Sequence, residues 1–122
     1  MKLLVVDDSS VIRNRISQLS RHPDLPTLEL VGTAKDGNEA LAMARKHEPD
    51  VITMDLTMPN MDGVTCIRGL VNLSPDTRIL VVSALGDRKT ALQAMTNGAH
   101  GFLHKPFTSE ELVEGLKELL RD

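Results

Sequence analysis

Three carboxylates, one hydroxyl and one ammonium stand where short apolar runs end. Leu3–Val6 runs into Asp7-Asp8, Val51–Met54 into Asp55 and Ile79–Val82 into Ser83, and Gly101–Leu103 leads through His104 to Lys105. Two carboxylates ~4 Å apart repel by roughly 1 kcal/mol in bulk water and ~4 kcal/mol at an effective dielectric of 20. Three of them at one place need raised pKa values or a cation. The donors are all oxygen, with no Cys or His in position, and that set suits Mg2+, which takes one or two carboxylates and keeps water for a phosphate ligand. A carboxylate beside such an ion and a lysine can attack a phosphoryl group and form an aspartyl phosphate. The hydroxyl and the ammonium would then hold the oxygens onto which charge moves. On this reading Asp7 and Asp8 are the acid pair for the metal, Asp55 is the nucleophile, and Ser83 and Lys105 bind the phosphoryl group.

Each piece alone has a plainer reading. An Asp-Asp pair after a strand is often a helix N-cap followed by a first-turn acid, which the helix dipole favours. Ser83 alone reads as a cap, and Lys105 as a solvated loop lysine. Asp55 resists such a reading, because it follows Val-Ile-Thr-Met in a segment expected to be central, and Asp is rarely buried unpaired. The loop Leu56-Thr57-Met58-Pro59-Asn60-Met61-Asp62-Gly63 is turn-rich and can bring a backbone carbonyl back toward a metal. Lys105-Pro106 is open to a cis bond, which would aim the lysine inward.

The elements that must position these groups form a rhythm. Apolar runs start at Leu3, Leu28, Val51, Ile79 and Gly101, with gaps of 25, 23, 28 and 22 residues. Each gap fits a strand, a helix and two short loops, and is too long for a hairpin. Unbroken apolar quartets suggest strands covered on both faces, as in a parallel sheet. Helical spacing fills the gaps. Ile12, Ile16 and Leu19 mark one face, Ala40, Leu41 and Ala44 a second, closed by His47-Glu48-Pro49. Cys66, Ile67, Leu70, Val71 and Leu73 mark a third, and Ala91, Leu92 and Met95 a fourth that ends at Asn97-Gly98. Thr108 and Glu111 form a capping-box pattern before Leu112, Val113, Leu116, Leu119 and Leu120, with Gly115 costing the helix roughly 1 kcal/mol against Ala.

This reads as (βα)5. A closed barrel needs eight units, so the expectation is an α/β fold with an open, doubly wound, five-stranded parallel sheet. All strand C-termini then lie along one edge, where ligands bind near the switch point. The second run ends in Gly-Thr-Ala, without charge, as suits a strand set to one side.

Composition narrows the functional classes. At 122 residues, one domain spanning 1–122 is expected. Fourteen Lys and Arg against seventeen Asp and Glu give a net charge of −3, against a direct nucleic-acid role. Phe102 and Phe107 are the only aromatics, too few for a base-stacking platform. A lone cysteine, Cys66, fits a reducing, cytoplasmic setting and reads as core packing on its helix. No apolar run approaches the roughly 20 residues that a membrane span needs. His22 and His47 fall near helix C-termini, and none of the four histidines pairs at metal-ligand spacing. Met58 and Met61 read as gap-fillers beside the loop.

Taken together, Val-Val-Asp-Asp-Ser, then Val-Ile-Thr-Met-Asp-Leu-Thr-Met-Pro-Asn-Met-Asp-Gly, then Val-Val-Ser-Ala, then Lys-Pro-Phe resemble response-regulator receiver domains, in order along the whole chain. The resemblance implies a flavodoxin-like (CheY-like) sheet of order 2-1-3-4-5. It implies a phosphorylation-controlled signalling switch whose only catalysis is its own phosphorylation and dephosphorylation. Asp55 matches the phosphoacceptor. Asp8 matches the direct Mg2+ ligand, with Asp7 acting nearby through water, and the backbone carbonyl of Thr57 matches a further ligand. Ser83 matches the switch hydroxyl, Lys105 the phosphoryl-pairing lysine, and Phe102 the switch aromatic. Phosphorylation would draw the hydroxyl inward, the aromatic would follow, and the face made by the fourth helix, fifth strand and fifth helix would change. A Phe lacks the phenol that relatives with Tyr can use for an outward hydrogen bond. Implied partners are a sensor histidine kinase as phosphodonor and a downstream protein target, a chemotaxis-type single-domain regulator being one such arrangement. Thr57 and Leu85 fall at the family's variable positions and carry no amide or acid to orient a hydrolytic water, so modest self-dephosphorylation is expected.

Three alternatives stay open. One is a receiver that belongs to a longer regulator with an effector domain. Another is an aspartyl-phosphate phosphatase of haloacid dehalogenase type, but Thr57 stands where that class has its second Asp. The last is a flavodoxin-like FMN module, but two acids in the first loop would repel FMN phosphate.

Overall fold

Strand and helix alternate five times along the chain. The structure is a computed structural model, and it describes residues 1–84 and 88–121. The order is β1 (Lys2–Val6), α1 (Ser10–Leu19), β2 (Glu29–Ala34), α2 (Gly37–His47), β3 (Val51–Met54), α3 (Gly63–Leu73), β4 (Arg78–Ser83), α4 (Arg88–Thr96), β5 (Gly101–His104) and α5 (Ser109–Leu120). Every strand pairing is parallel, and the sheet runs β2-β1-β3-β4-β5. The expected fold class and strand order are both observed.

Alternation along each strand divides the core into two layers. Leu4, Val6, Ile52, Met54, Ile79 and Val81 face Ala40, Ala44, Cys66, Ile67, Leu70 and Ala94 of α2, α3 and α4. Leu3, Val5, Val51, Leu80 and Val82 face Ile16 of α1 and Leu112, Leu116 and Leu119 of α5. Burial on both sides explains why these strands read as unbroken apolar runs. Cys66 is wholly buried, and that burial pushes its thiol up to about 12.

Local signals set the helix ends. Ser9, Asp36, Asp62 and Thr108 cap α1, α2, α3 and α5, and Thr108 with Glu111 forms the full capping box. Glu48 ends α2 in the left-handed region at φ 50. Lys105-Pro106 is cis.

Two expectations need correction. The apolar run Leu28–Val31 predicts a short second strand, but β2 starts one residue later, at Glu29, and extends through Gly32 and Thr33 to Ala34. The pairing with β1 carries it on, with a register shift between Leu3 and Leu4. In α4 the residues Ala91, Leu92 and Met95 are not the packed face. Ala94 is the buried one, while Leu92 is 59% and Met95 42% exposed. A helix seated on the sheet through a small residue leaves its large side chains pointing outward. An apolar residue is not thereby an inward one.

Candidate functional site

The reversal of strand order puts β1 and β3 side by side at the middle of the sheet, and the acids follow them directly. Each first residue past its strand is still held by the ladder. Asp7 N–H donates to the Ala34 carbonyl at 3.0 Å, Asp55 N–H to the Val6 carbonyl at 3.0 Å, and Lys105 N–H to the Ser83 carbonyl at 2.9 Å. The carboxylates are therefore anchored through backbone that cannot shift without breaking the sheet.

Asp7, Asp8 and Asp55 each bring an oxygen into a group whose members all lie within 4.8 Å of one another. Asp7 and Asp55 are buried, while Asp8 faces solvent. Lys105 reaches in from the end of β5. Its Nζ donates to Asp7 Oδ2 at 2.7 Å and stands 3.6 Å from Asp55 Oδ1. Burial, and next the charge of Asp7, raise the Asp55 carboxyl to about 6, against the pull of Lys105. The ammonium of Lys105 thus pairs with two of the three carboxylates. An all-oxygen, acid-rich cleft with a partly exposed mouth fits a hard divalent cation such as Mg2+.

Neither Asp7 nor Asp8 caps the first helix, so the plainer reading of that pair fails. Ser9 is the cap, its hydroxyl accepting from Ile12 N–H. Asp7 instead turns back, and its Oδ1 accepts from Ser9 N–H at 2.9 Å. Thr57 lies exposed in the loop after β3, with its N–H donating to Asp55 Oδ1 at 3.3 Å. Ser83 is fully buried at the end of β4. Phe102 is half-buried on β5 opposite Val81, packed against the α2–α3–α4 layer, and its ring meets His104 edge-on at 5.2 Å between centroids. Leu85 lies outside the described residues. Met58 and Met61 pack against the core, in keeping with gap-filling.

Two contributions were not read from sequence. Arg13 Nη1 donates to the Asp7 carbonyl oxygen at 2.6 Å, tying α1 to the acid pair. Asn60 Nδ2 donates to Asp36 Oδ2 at 3.2 Å, tying the β3–α3 loop to the cap of α2. The only available signal was an Arg in the first helix after the acids and an Asn in a turn-rich loop.

An open parallel sheet of this order, with an acid cleft at the C-terminal ends of its central strands and a lysine closing it, defines a phosphoacceptor switch of the receiver class. Residues 3–117 match the family model of the response regulator receiver domain, and the chain belongs to that family. Among its relatives, the chemotaxis protein CheY of Bacillus subtilis is 32% identical over 119 residues, covering 98% of this chain and 97% of that protein. The protein-glutamate methylesterase/protein-glutamine glutaminase 2 of Photobacterium profundum is 45% identical over 109 residues, covering 88% of this chain. The chain spans only 27% of that protein's length. Among solved structures, the CheX-CheY-BeF3-Mg+2 complex from Borrelia burgdorferi matches with a TM-score of 0.92 at 27% identity, over 100% of this chain and 90% of that one. The protein is a phosphoacceptor signalling switch of the two-component type.

Proposed function

We propose that Asp55 takes the phosphoryl group, and that the carboxylates of Asp8 and Asp55 with the backbone carbonyl of Thr57 hold Mg2+, Asp7 acting nearby through water. The observation that carries this reading is the buried Asp55 carboxylate, grouped with two other acids and 3.6 Å from Lys105 Nζ. Bound there, Mg2+ would neutralise charge on the phosphoryl oxygens.

The remaining steps belong to the chain's own groups. With its carboxyl raised to about 6, Asp55 is mostly ionised at neutral pH and free to attack phosphorus, the new O–P bond forming as the P–N bond to the donor histidine breaks and the imidazole leaves. Lys105 binds a phosphoryl oxygen, and the Ser83 hydroxyl donates to another. Ser83 and Lys105 are joined through a backbone hydrogen bond, so a shift of one is felt by the other. Phe102 follows Ser83, and the α4-β5-α5 face changes shape. The phosphodonor is a sensor histidine kinase, and the readout is a protein that binds that face, in the cytoplasm. Among the described residues no helix is long and apolar enough to cross a membrane. With Thr57 beside the nucleophile and no amide or acid there, self-dephosphorylation is modest. Thr57→Asn is expected to shorten the lifetime of the phosphorylated form several-fold.

The test is incubation with acetyl phosphate and Mg2+. Intact mass should rise by one phosphoryl group in the wild-type chain and not in Asp55→Asn. Continuous release of phosphate from a small-molecule substrate would point to a phosphatase instead.

A second reading concerns the output. The 45% identity to a segment of a methylesterase supports a receiver that controls an attached effector, while the CheY relatives support a free-standing chemotaxis regulator. Whether the native reading frame continues past Asp122 decides between them.

A further inference from the structure

The loop from Leu56 to Asp62 carries the Thr57 carbonyl, and it is fastened at two points. At its neck, Gly63 N–H donates to the Leu56 carbonyl at 3.1 Å. That closure requires a glycine, because a Cβ at Gly63 would fall 2.5 Å from Leu56 Cα. At its tip, Asn60 sits at φ 73, a left-handed conformation that Asn tolerates better than most residues. From there its amide reaches Asp36 Oδ2, 24 residues away in sequence. Asp36 is fixed in turn. Its Oδ1 accepts from Glu39 N–H at 2.8 Å as the cap of α2, and the Glu39 carboxylate accepts from Lys35 N–H at 3.1 Å. The Glu39 N–H and, to a lesser extent, the Asn60 amide hold the Asp36 carboxyl below its usual range, as donors to a carboxylate do. On the loop's outer flank lies an open cavity of about 740 Å³, lined by Thr57, Met58 and Met61 among others. Met58 and Met61 pack inward against the core, and among the described residues the Asn60–Asp36 contact is the side-chain hydrogen bond that ties the tip to α2.

We infer that Asp36 and Asn60 are positioning residues for the metal-binding edge of the site. Their hydrogen bond sets the course of the loop and so the direction of the Thr57 carbonyl, though neither residue touches the acid cleft. This rests on the reading above, in which that carbonyl faces Mg2+.

Two variants isolate the contact. Asp36→Ser keeps a good N-cap for α2 but offers no second oxygen to Asn60. Asn60→Gly keeps the positive φ without strain and deletes the amide. In each, Mg2+ titration of the full chain should show affinity about three- to tenfold weaker, the span that one hydrogen bond's net contribution covers. The double variant should be no weaker than either single one. Without metal, the Thr57 and Gly63 amides should exchange faster with solvent in all three, a readout that general destabilisation of α2 would not single out. Unchanged exchange at these two amides overturns the proposal, as does a loss of affinity seen in Asp36→Ser but not in Asn60→Gly. If the wild-type chain takes no Mg2+, or Asp8→Asn binds it as well as the wild type, the reading of the metal site fails instead. The exchange data then decide the role of the pair alone.

Discussion

Lys105 Nζ lies 2.7 Å from Asp7 Oδ2 and 3.6 Å from Asp55 Oδ1, so its short hydrogen bond goes to the acid that is not the proposed nucleophile. The proposed phosphoacceptor is held by the weaker of the two contacts. Before any phosphoryl group arrives, Lys105 serves mainly to offset the buried charge of Asp7.

Removing that lysine should therefore be felt in the resting protein. Among the described residues, Lys105 is the ion-pair partner of both Asp7 and Asp55, and Asp7 is 1% exposed. Breaking a fully buried pair costs about 3–5 kcal/mol. Lys105 retains some exposure, so Lys105→Ala is expected to lose about 2 kcal/mol by urea denaturation without metal. Added Mg2+ should restore more stability to the variant than to the wild type, since a competing cation is gone. Equal stabilisation of the two by Mg2+ would count against this arrangement.

Asp55 carries a pH signature. Its folded-state carboxyl is raised to about 6 from 3.8, so its contribution is most favourable at low pH and is lost as pH rises through about 6. Asp55→Asn, uncharged at every pH, should raise the midpoint of thermal unfolding at pH 7–8 in metal-free buffer. That gain should shrink as pH falls through about 6, and be gone well below 3.8, where the wild-type carboxyl is protonated in both states. A gain that does not vary between pH 4 and 8 would contradict the raised value.

Thr53 points to a stabilising substitution. Among the described residues its Oγ1, buried on β3 two residues before Asp55, has no hydrogen-bond partner. A buried hydroxyl left unpaired costs about 1–3 kcal/mol. Thr53→Val keeps the shape and removes the hydroxyl, and should raise stability by about 1 kcal/mol in chemical denaturation. A loss of stability would show that the hydroxyl has a partner.

Two helix-interior glycines should respond differently to alanine. At Gly115 in α5 an added Cβ meets Leu80 Cδ2 at 3.6 Å, an ordinary contact. Gly115→Ala should gain about 1 kcal/mol of helix propensity. At Gly69 in α3 the Cβ would lie 3.0 Å from Leu41 Cδ2, tight enough to cancel that gain. The pair of denaturation curves is the check, with the Gly115 variant shifted up and the Gly69 variant unshifted or lower.

What could be read in advance was whatever lies within one strand and the residue after it. Asp7, Asp55, Ser83 and Lys105 each follow an apolar run, and a parallel sheet of five βα units brings their strand ends to one edge. Relationships between units were not legible. Nothing in the composition of α4 says that Ala94 rather than Leu92 meets the sheet. Arg13 on the Asp7 carbonyl, Asn60 on Asp36 and Arg15 over the Phe107 ring at 4.5 Å all join separate elements. The choice of Lys105 between two acids is likewise a matter of distances, 2.7 Å against 3.6 Å. Periodicity carries no distances.

The ion pair of Asp7 with Lys105 spans 98 residues. The surroundings of the proposed nucleophile are thus made jointly by the first and the last βα units. On the ribosome, a nascent chain that has exposed β1 through β4 holds the acids but not the ammonium that balances them. On the proposed reading, the site is complete only when β5 has emerged and brought Lys105 to Asp7. The salt bridge that balances Asp7 is thus a contact that only the nearly complete chain can make.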